Sequence, residues 1–410
     1  MSNRRILLLA ALLGVALAAR VGYGLRVHSS GAWTDNIDDY GALARNLAAE
    51  GRYVAVAGDG PCITREPGFA MLLAAADFAV GPGFGATLAV LCLFNLALIV
   101  LLWKMGSEYL GEKAGWFAAG LAAVYPYYVY YSVHPYREVV YAFFTTLCVW
   151  AWLRWLKNPT PAGLAGAGAL NGWTCLISFT HFPTAVLSGA FALWAAGRER
   201  RYSRAALYFL PLILVYGLWP LRTWLHYRAF VISTPYAALN VYTSMVIAPE
   251  LKGTQAEADI TSRDAALARF EALRHQAPHE AYEFLLAEAR ARVAAQPGLY
   301  VRRVFQNMVK LWRLYPYPRD YGHSYGSIKW VSLASEGLLL PLGLLGLWLW
   351  VRRGGRDFAA LAAIHIFSLT AVHSLAFAVM RHRLPLMSWL LLFSAYALAR
   401  VPEAWSRTQD

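Results

Sequence analysis

The chain has 410 residues, 58% of them hydrophobic and 14% aromatic, with only 15% charged, a balance that excludes an ordinary water-soluble protein. Lys and Arg number 37 against 24 Asp and Glu, a net +13. Many of the basic residues stand in short clusters between long apolar runs, which is a membrane topology pattern rather than a nucleic-acid-binding face. Of the four cysteines, Cys92, Cys148 and Cys175 lie inside apolar runs, and with Cys62 they make neither a disulfide framework nor a metal-binding CxxC pair.

Ile6 to Leu25 reads as the first span. Its Ala16 to Ala19 stretch resembles a signal-peptidase site, but the many later spans make an uncleaved anchor the expectation, with Arg4 and Arg5 holding the N-terminus in the cytoplasm. Residues 26 to 83 then form an outer loop. Within it, Pro67 to Val80 is shorter than the roughly 17 residues needed to cross and is bracketed by Pro67, Gly81 and Pro82, so it is expected to lie in the outer interface. Further spans are predicted at Phe84 to Trp103, Trp116 to Ser132, Val139 to Leu153, Gly163 to Phe179, Thr184 to Ala196 and Ala205 to Leu221. Three more follow at Val331 to Val351, Phe358 to Val379 and Pro385 to Ala399, for about ten in all. This topology puts Lys104, Lys113, Arg154, Lys157, Arg198, Arg200, Arg201, Arg204, Arg352, Arg353 and Arg356 on the cytoplasmic side.

The expected fold class is therefore an all-α polytopic membrane protein with a helical extracytoplasmic domain. Residues 1–221 form a transmembrane module that includes the first outer loop, 222–330 the helical outer domain, and 331–410 the last spans. In the outer domain Thr261 to His275, Pro278 to Gln296 and Pro297 to Leu314 read as helices, with Pro297 suited to a first helical position. No internal repeat, strand-rich stretch or GxGxxG motif is present.

Arg65, Arg137, Arg222, Arg381 and Arg383 stand at the outer ends of apolar runs, against the usual bias of basic residues toward the inside. Folding that gathers several of them would make an anion site, since guanidinium forks match phosphate oxygens. The alternative for each alone is interfacial anchoring, and Arg20 inside the first span is open to either reading. Acidic groups on the same face are Asp35, Asp38 and Asp39, with Glu66 and Glu138 at other span ends. Asp35 or Asp38 could instead cap a helix beginning near Tyr40.

The three aspartates are hard oxygen donors, so a divalent cation is a competing use for them. No HExxH, EF-hand or Cys/His cluster occurs, however, and His134, His323 and His382 are far apart in sequence, so no dedicated metal site is assigned. His382, between two arginines, is expected to hydrogen-bond a phosphate or the backbone. The Tyr125 to Tyr131 run reads first as an interfacial aromatic belt. Tyr315 to Tyr321 reads as a loop that covers a site.

The acidic loop followed by Tyr40, Leu43-Ala44, Asn46-Leu47 and Gly51-Arg52-Tyr53, then Arg65-Glu66-Pro67-Gly68-Phe69, resembles the first outer loop of the GT-C superfamily of integral-membrane glycosyltransferases. The type is the bacterial one related to protein mannosyltransferases and the lipid A aminoarabinose transferase. Arg137-Glu138, Trp219-Pro220-Leu221-Arg222 and Arg381-His382-Arg383-Leu384-Pro385 resemble later motifs, so the likeness extends along nearly the whole chain. Three positions depart from it. Asn36 stands where the family's catalytic aspartate usually lies, flanked by Asp35 and Asp38, while Thr223 replaces an asparagine and His382 the tyrosine of RYRxP.

The resemblance implies a GT-C fold and transfer of a sugar from a polyprenyl-phosphate donor to an extracytoplasmic acceptor (glycan, lipid or protein), with inversion. The implied partners are that donor, the acceptor and the lipid bilayer, with no nucleic acid. The implied location is the cytoplasmic (inner) membrane, with the site facing the periplasm or exterior. Asp35 is the first choice for the base and Asp38 or Asp39 the second, with Glu138 orienting acceptor or base. Arg65, Arg381 and Arg383 are expected to hold phosphate, with Glu66, Arg137, Arg222 and His382 also binding. The rival reading is a transporter or flippase, against which stand the absence of a repeated half and the placement of polar residues at the outer surface. A third reading is a noncatalytic assembly protein that uses the outer domain for docking.

Overall fold

The computed structural model describes residues 3–34, 36–56, 58–197, 201–251, 254–274, 276–317 and 325–406, leaving aside the side chains of 201, 249 and 401–406. The described chain is helical throughout, without strands. In order the helices are α1 (Asn3–Ser29), α2 (Tyr40–Glu50), α3 (Pro67–Val80), α4 (Phe84–Met105), α5 (Glu112–Val124) and α6 (Pro126–Tyr130). Next come α7 (Glu138–Lys157), α8 (Pro161–Ile177), α9 (Phe182–Ala195), α10 (Arg201–Tyr227), α11 (Pro235–Val246) and α12 (Gln255–Arg263). The last six are α13 (Ala265–Leu273), α14 (Pro278–Ala295), α15 (Pro297–Leu311), α16 (Tyr325–Arg352), α17 (Arg356–Leu375) and α18 (Leu384–Ser406).

Among the described residues, six helices are long and apolar enough to cross a membrane: α1, α4 with its π-helical extension to Leu110, α7, α10, α16 and α17. Helices α5, α8, α9 and α18 fall on the four remaining apolar runs read from the sequence. The protein is a polytopic integral membrane protein. Helix α3, with 14 residues, is about 21 Å long against a hydrocarbon core of about 30 Å.

The run Trp116 to Ser132 departs from the prediction of one continuous span, because Pro126 stops α5 at Val124 and opens the short α6. The break leaves the last carbonyls of α5 without intrahelical donors, and Arg20 of α1 supplies them. Its guanidinium donates to Ala123 O at 3.0 Å and Ala122 O at 3.3 Å, and to the Asn95 side chain at 2.9 Å. Asn95 in turn donates to Tyr128 O at 3.2 Å. The Arg20 left ambiguous by sequence is thus a fully buried cap for a broken helix.

Packing is close where small residues meet a partner backbone, as membrane interfaces require. A Cβ on Gly172 of α8 would stand 2.7 Å from Leu212 O of α10. Helix α18 is apolar and buried on every side from Leu384 through Ala397, the signature of a central helix. It packs against α5, α7 and α16.

The bundle has two chemically different ends. At one end Glu108, Lys157, Arg356 and Asp357 line a common hollow, with Lys157 Nζ 3.7 Å from Glu108 Oε1. The other end carries α2, α3, the turns before α7, between α8 and α9 and before α18, and the segment α11 to α15. That segment has its own small core of Ala238, Tyr242, Leu267, Phe270, Ala281, Leu285 and Ala289. The helix predicted from Thr261 breaks at Asp264, which caps α13 by accepting from Ala266 N and Leu267 N. Helix α11 had no counterpart in the sequence reading.

Candidate active site

The acidic loop turns into α2 through two consecutive left-handed residues, Asp38 (φ 56°) and Asp39 (φ 65°). Aspartate tolerates this region better than most side chains, but two in succession are sparse enough to need outside support. Arg65 supplies it, its Nε donating to Asp38 O at 2.9 Å. The expectation that Asp38 caps α2 is not met. Asn36 does so instead, its side-chain oxygen accepting from Ala42 N at 3.2 Å, and this leaves the Asp38 carboxylate to turn elsewhere.

It turns to two arginines from opposite ends of the sequence. Asp38 Oδ1 is 3.0 Å from Arg65 Nη2, and Oδ2 is 3.2 Å from Arg381 Nη2. Burial alone would raise the Asp38 pKa, but Arg65, Arg381 and Arg137 outweigh it and hold the carboxyl below its ordinary value. Arg381 Nε also lies 3.4 Å from Glu138 Oε1 at the start of α7. Each arginine has an aromatic face beneath it, Tyr236 at 3.9 Å for Arg65 and Tyr136 at 4.4 Å for Arg381, which fixes the planes of the two guanidinium groups.

A second ion pair braces the first. Glu66 precedes α3 and sends Oε2 to Arg137 Nη1 at 2.8 Å, while its Oε1 accepts from Phe179 N at 3.1 Å. Arg137 Nη1 also donates to the Tyr40 hydroxyl at 3.1 Å and to Ile177 O at 3.3 Å. This bracing depends on Gly68, where a Cβ would stand 2.8 Å from the backbone of Leu176 and Ile177. Only glycine lets α3 approach the end of α8 so closely. The Tyr40 hydroxyl is pushed up to about 12 by burial, against the pull of Arg137 and Arg65, so it stays protonated.

These groups face a cavity of about 470 Å³. Asp38, Arg65, Glu66, Arg137, Glu138, Arg381 and His382 all line it. Three arginines therefore meet three carboxylates, and three polar atoms there have no hydrogen-bond partner among the described residues: Glu138 Oε2, Arg381 Nε and His382 Nδ1. The His382 ring stacks on His373, centroids 4.3 Å apart. Desolvation, with His373, Arg381, Arg137 and Lys310 adding to it, holds the His382 imidazole well below its ordinary value. It is neutral at physiological pH, so it offers a hydrogen bond and no charge.

Three of the described residues singled out from sequence are not in the cavity. Arg222 donates to Cys62 O at 2.9 Å and to Tyr53 O at 3.5 Å, and its guanidinium lies against the Tyr53 and Trp219 rings. It staples the first loop to α10. Arg383 turns the opposite way from Arg381, is 1% exposed, and pairs with Glu336 at 3.0 Å while donating to Leu311 O at 3.2 Å and to Arg313 O. Both were expected to bind phosphate, and both are instead committed to internal partners. Asp39 lines a small separate hollow with Asp59, Thr64 and Arg274. Asp35 lies outside the described residues, as do His323 and the second half of the Tyr315 to Tyr321 loop.

The cavity also holds residues that the sequence reading missed. Ser233 and Thr234 come from just before α11 and Tyr236 and Asn240 from within it, while Thr180 lies in the turn after α8, His373 in the last turn of α17 and Phe377 just beyond it. The Thr234-Pro235 pair, an extended residue followed by proline at the first helical position, is the sequence signal that would have placed α11. Among the described residues no group of three His, Cys, Asp or Glu side chains is arranged to hold a metal ion.

Residues 66–225 match the protein family described as dolichyl-phosphate-mannose-protein mannosyltransferase. No curated protein matches the chain. Among solved structures, the Archaeoglobus fulgidus oligosaccharyltransferase, in complex with zinc and sulfate, is similar with a TM-score of 0.55 and 14% identity. The likeness covers 97% of this chain and 49% of that one, so the chain spans about half the length of the oligosaccharyltransferase. ArnT from Cupriavidus metallidurans aligns at 14% identity both bound to undecaprenyl phosphate (TM-score 0.44, covering 98% of this chain and 79% of that one) and in the apo state (0.43, 97% and 77%). In fold, the chain is a GT-C-type polytopic membrane protein, as its sequence motifs implied.

Proposed function

We propose that this protein is a glycosyltransferase that moves a sugar from a polyprenyl-phosphate donor to an acceptor on the non-cytoplasmic side of the membrane. The observation that carries the reading is the Asp38 carboxylate held between Arg65 and Arg381 in the wall of a cavity of about 470 Å³. The match of residues 66–225 to the mannosyltransferase family supports the same class of chemistry. Orientation follows from charge: the end carrying Lys157 and Arg356 faces the cytoplasm, and the cavity faces outward.

The reaction would run as a direct displacement with inversion. The donor phosphate takes Arg65 and Arg381 as its charge partners, and the same guanidinium groups stabilise the negative charge that grows on the departing phosphate oxygen. Asp38, ionised and within reach of both arginines, accepts the proton of the acceptor hydroxyl as that oxygen attacks the anomeric carbon. Glu138, with Oε2 unpartnered, and His382, with Nδ1 unpartnered, face the space where sugar hydroxyls would lie. Arg137 already has three acceptors and is assigned to positioning.

The test is reconstitution into liposomes with radiolabelled polyprenyl-phosphate sugars and extracted envelope glycans, lipids and proteins as acceptors. Label appearing in an acceptor, and lost in Asp38→Asn, is the expected result. Movement of intact donor across the bilayer without transfer would make the protein a flippase and overturn the reading.

A further inference from the structure

Helix α15 is amphipathic, and among the described residues protein covers one of its faces. On one side Tyr300 donates to Leu375 O at 2.8 Å, Asn307 Nδ2 donates to Ser374 O at 3.2 Å, and Leu311 is fully buried. The opposite side carries Val301, Phe305, Met308 and Val309, which are 53%, 59%, 38% and 63% exposed. The spacing i, i+4, i+7, i+8 makes one continuous apolar stripe, with the exposed Arg302 beside it.

The depth of this helix is fixed by its contacts. Tyr300 and Asn307 both meet the last turn of α17, a helix long and apolar enough to cross the membrane. Just beyond α15, Trp312 Nε1 donates to Thr370 Oγ1 at 3.3 Å. Thr370 lies five residues inside the end of α17, about 7 Å along its axis. The stripe is therefore level with, or slightly below, the end of a spanning helix.

We propose that α15 is an interfacial helix whose Val301, Phe305, Met308 and Val309 face is seated in the acyl-headgroup boundary of the bilayer. Its occupant is lipid, because the unpartnered face continues from the packing of α15 on a spanning helix at headgroup depth, and because Arg302 flanks it where lipid phosphates would lie. Asn307 also donates to Ala376 O at 3.5 Å, and Ala376 lines the cavity. Seating α15 would thereby hold one wall of the cavity at headgroup level. The proposal stands whether or not the transfer reading does.

The experiment uses the full chain in nanodiscs of phosphatidylcholine and phosphatidylglycerol, with a nitroxide attached in turn to Phe305→Cys and Val309→Cys. The four native cysteines are buried, so labelling is confined to the introduced one. Phe367→Cys on α17, where the native side chain is 74% exposed, serves as the lipid reference and Arg290→Cys, on the exposed face of α14, as the water reference. Both α15 labels are expected to relax several-fold more with dissolved oxygen than with a water-soluble nickel chelate, as at Phe367. Labels that follow Arg290 instead would overturn the proposal. So would labels shielded from both reagents with dipolar broadening between copies, since a second copy of the chain would then cover the stripe.

Discussion

Arg383 and Glu336 form an ion pair at 3.0 Å with exposures of 1% and 0%, and the Tyr125 hydroxyl donates to the same carboxylate at 2.5 Å. The trio joins α16, the break after α5 and the turn before α18. That turn also carries Arg381, two residues away and facing the cavity. An arginine expected to grip substrate therefore anchors the segment that presents another.

Removing one member of such a pair leaves a buried uncompensated charge, which costs about 3 to 5 kcal/mol. Glu336→Ala and Glu336→Gln both strand the Arg383 charge, so both should lower the thermal unfolding midpoint in detergent, Glu336→Gln somewhat less because it keeps an acceptor for Tyr125 and the volume of the side chain. A Glu336→Gln protein with the parental midpoint would mean that the pair does not hold the turn.

Arg20 makes the same kind of prediction deeper in the bundle. Arg20→Leu strands the Asn95 amide oxygen and the Ala122 and Ala123 carbonyls, at about 1 to 3 kcal/mol for each unsatisfied buried group. Arg20→Lys, with one ammonium in place of a fork, should recover only part of the loss. Tryptophan fluorescence during thermal unfolding would rank the three proteins, and an Arg20→Leu variant as stable as the parent would remove the capping role.

Gly68 and Arg137 should fail together. A methyl at Gly68 meets backbone of α8, which cannot yield as a side chain does, so overpacking of about 1 to 3 kcal/mol is expected. The displaced α3 carries Glu66 away from Phe179 N and Arg137. Gly68→Ala and Arg137→Ala should then be less than additive in the double variant, because they break one assembly. Full additivity of the unfolding midpoints would show two independent sites.

The spans were legible because a helix that crosses lipid must be apolar for its whole length, and Pro67–Val80 was legible because it is too short. The order of the Arg and acid motifs along the chain was legible because they stand at the ends of the apolar runs. What could not be read was side-chain direction. Arg381 and Arg383 are two residues apart in a 3-10 turn, and only packing decides that one faces the cavity and the other Glu336. Arg222 found partners in carbonyls of Tyr53 and Cys62, which carry no sequence signature. The left-handed backbone at Asp38 and Asp39 sends neighbouring carboxylates into different hollows, so these two acids could not be ranked from sequence. The Pro126 break was visible as a proline, but the arginine that compensates for it lies on another helix, more than a hundred residues away.

Asp38 gives a prediction in which binding and turnover separate. Its carboxyl is held below the ordinary value of 3.8, so its ion pairs are complete at neutral pH and are lost only as pH falls through that depressed value. If Asp38 is the base, transfer should stay flat through the weakly acidic range and fall only below the ordinary carboxylate range. Asp38→Asn should lower the turnover rate by about 10² to 10⁴. Donor affinity should not fall with it, because Arg65 and Arg381 lose their carboxylate competitor and become free for phosphate. Arg381→Ala should do the reverse, weakening donor binding first. Initial rates at varied donor concentration, in liposomes and across pH, separate these outcomes. An Asp38→Asn protein with parental turnover would take the base role away from Asp38 and pass it to Asp35, three residues earlier in the same loop.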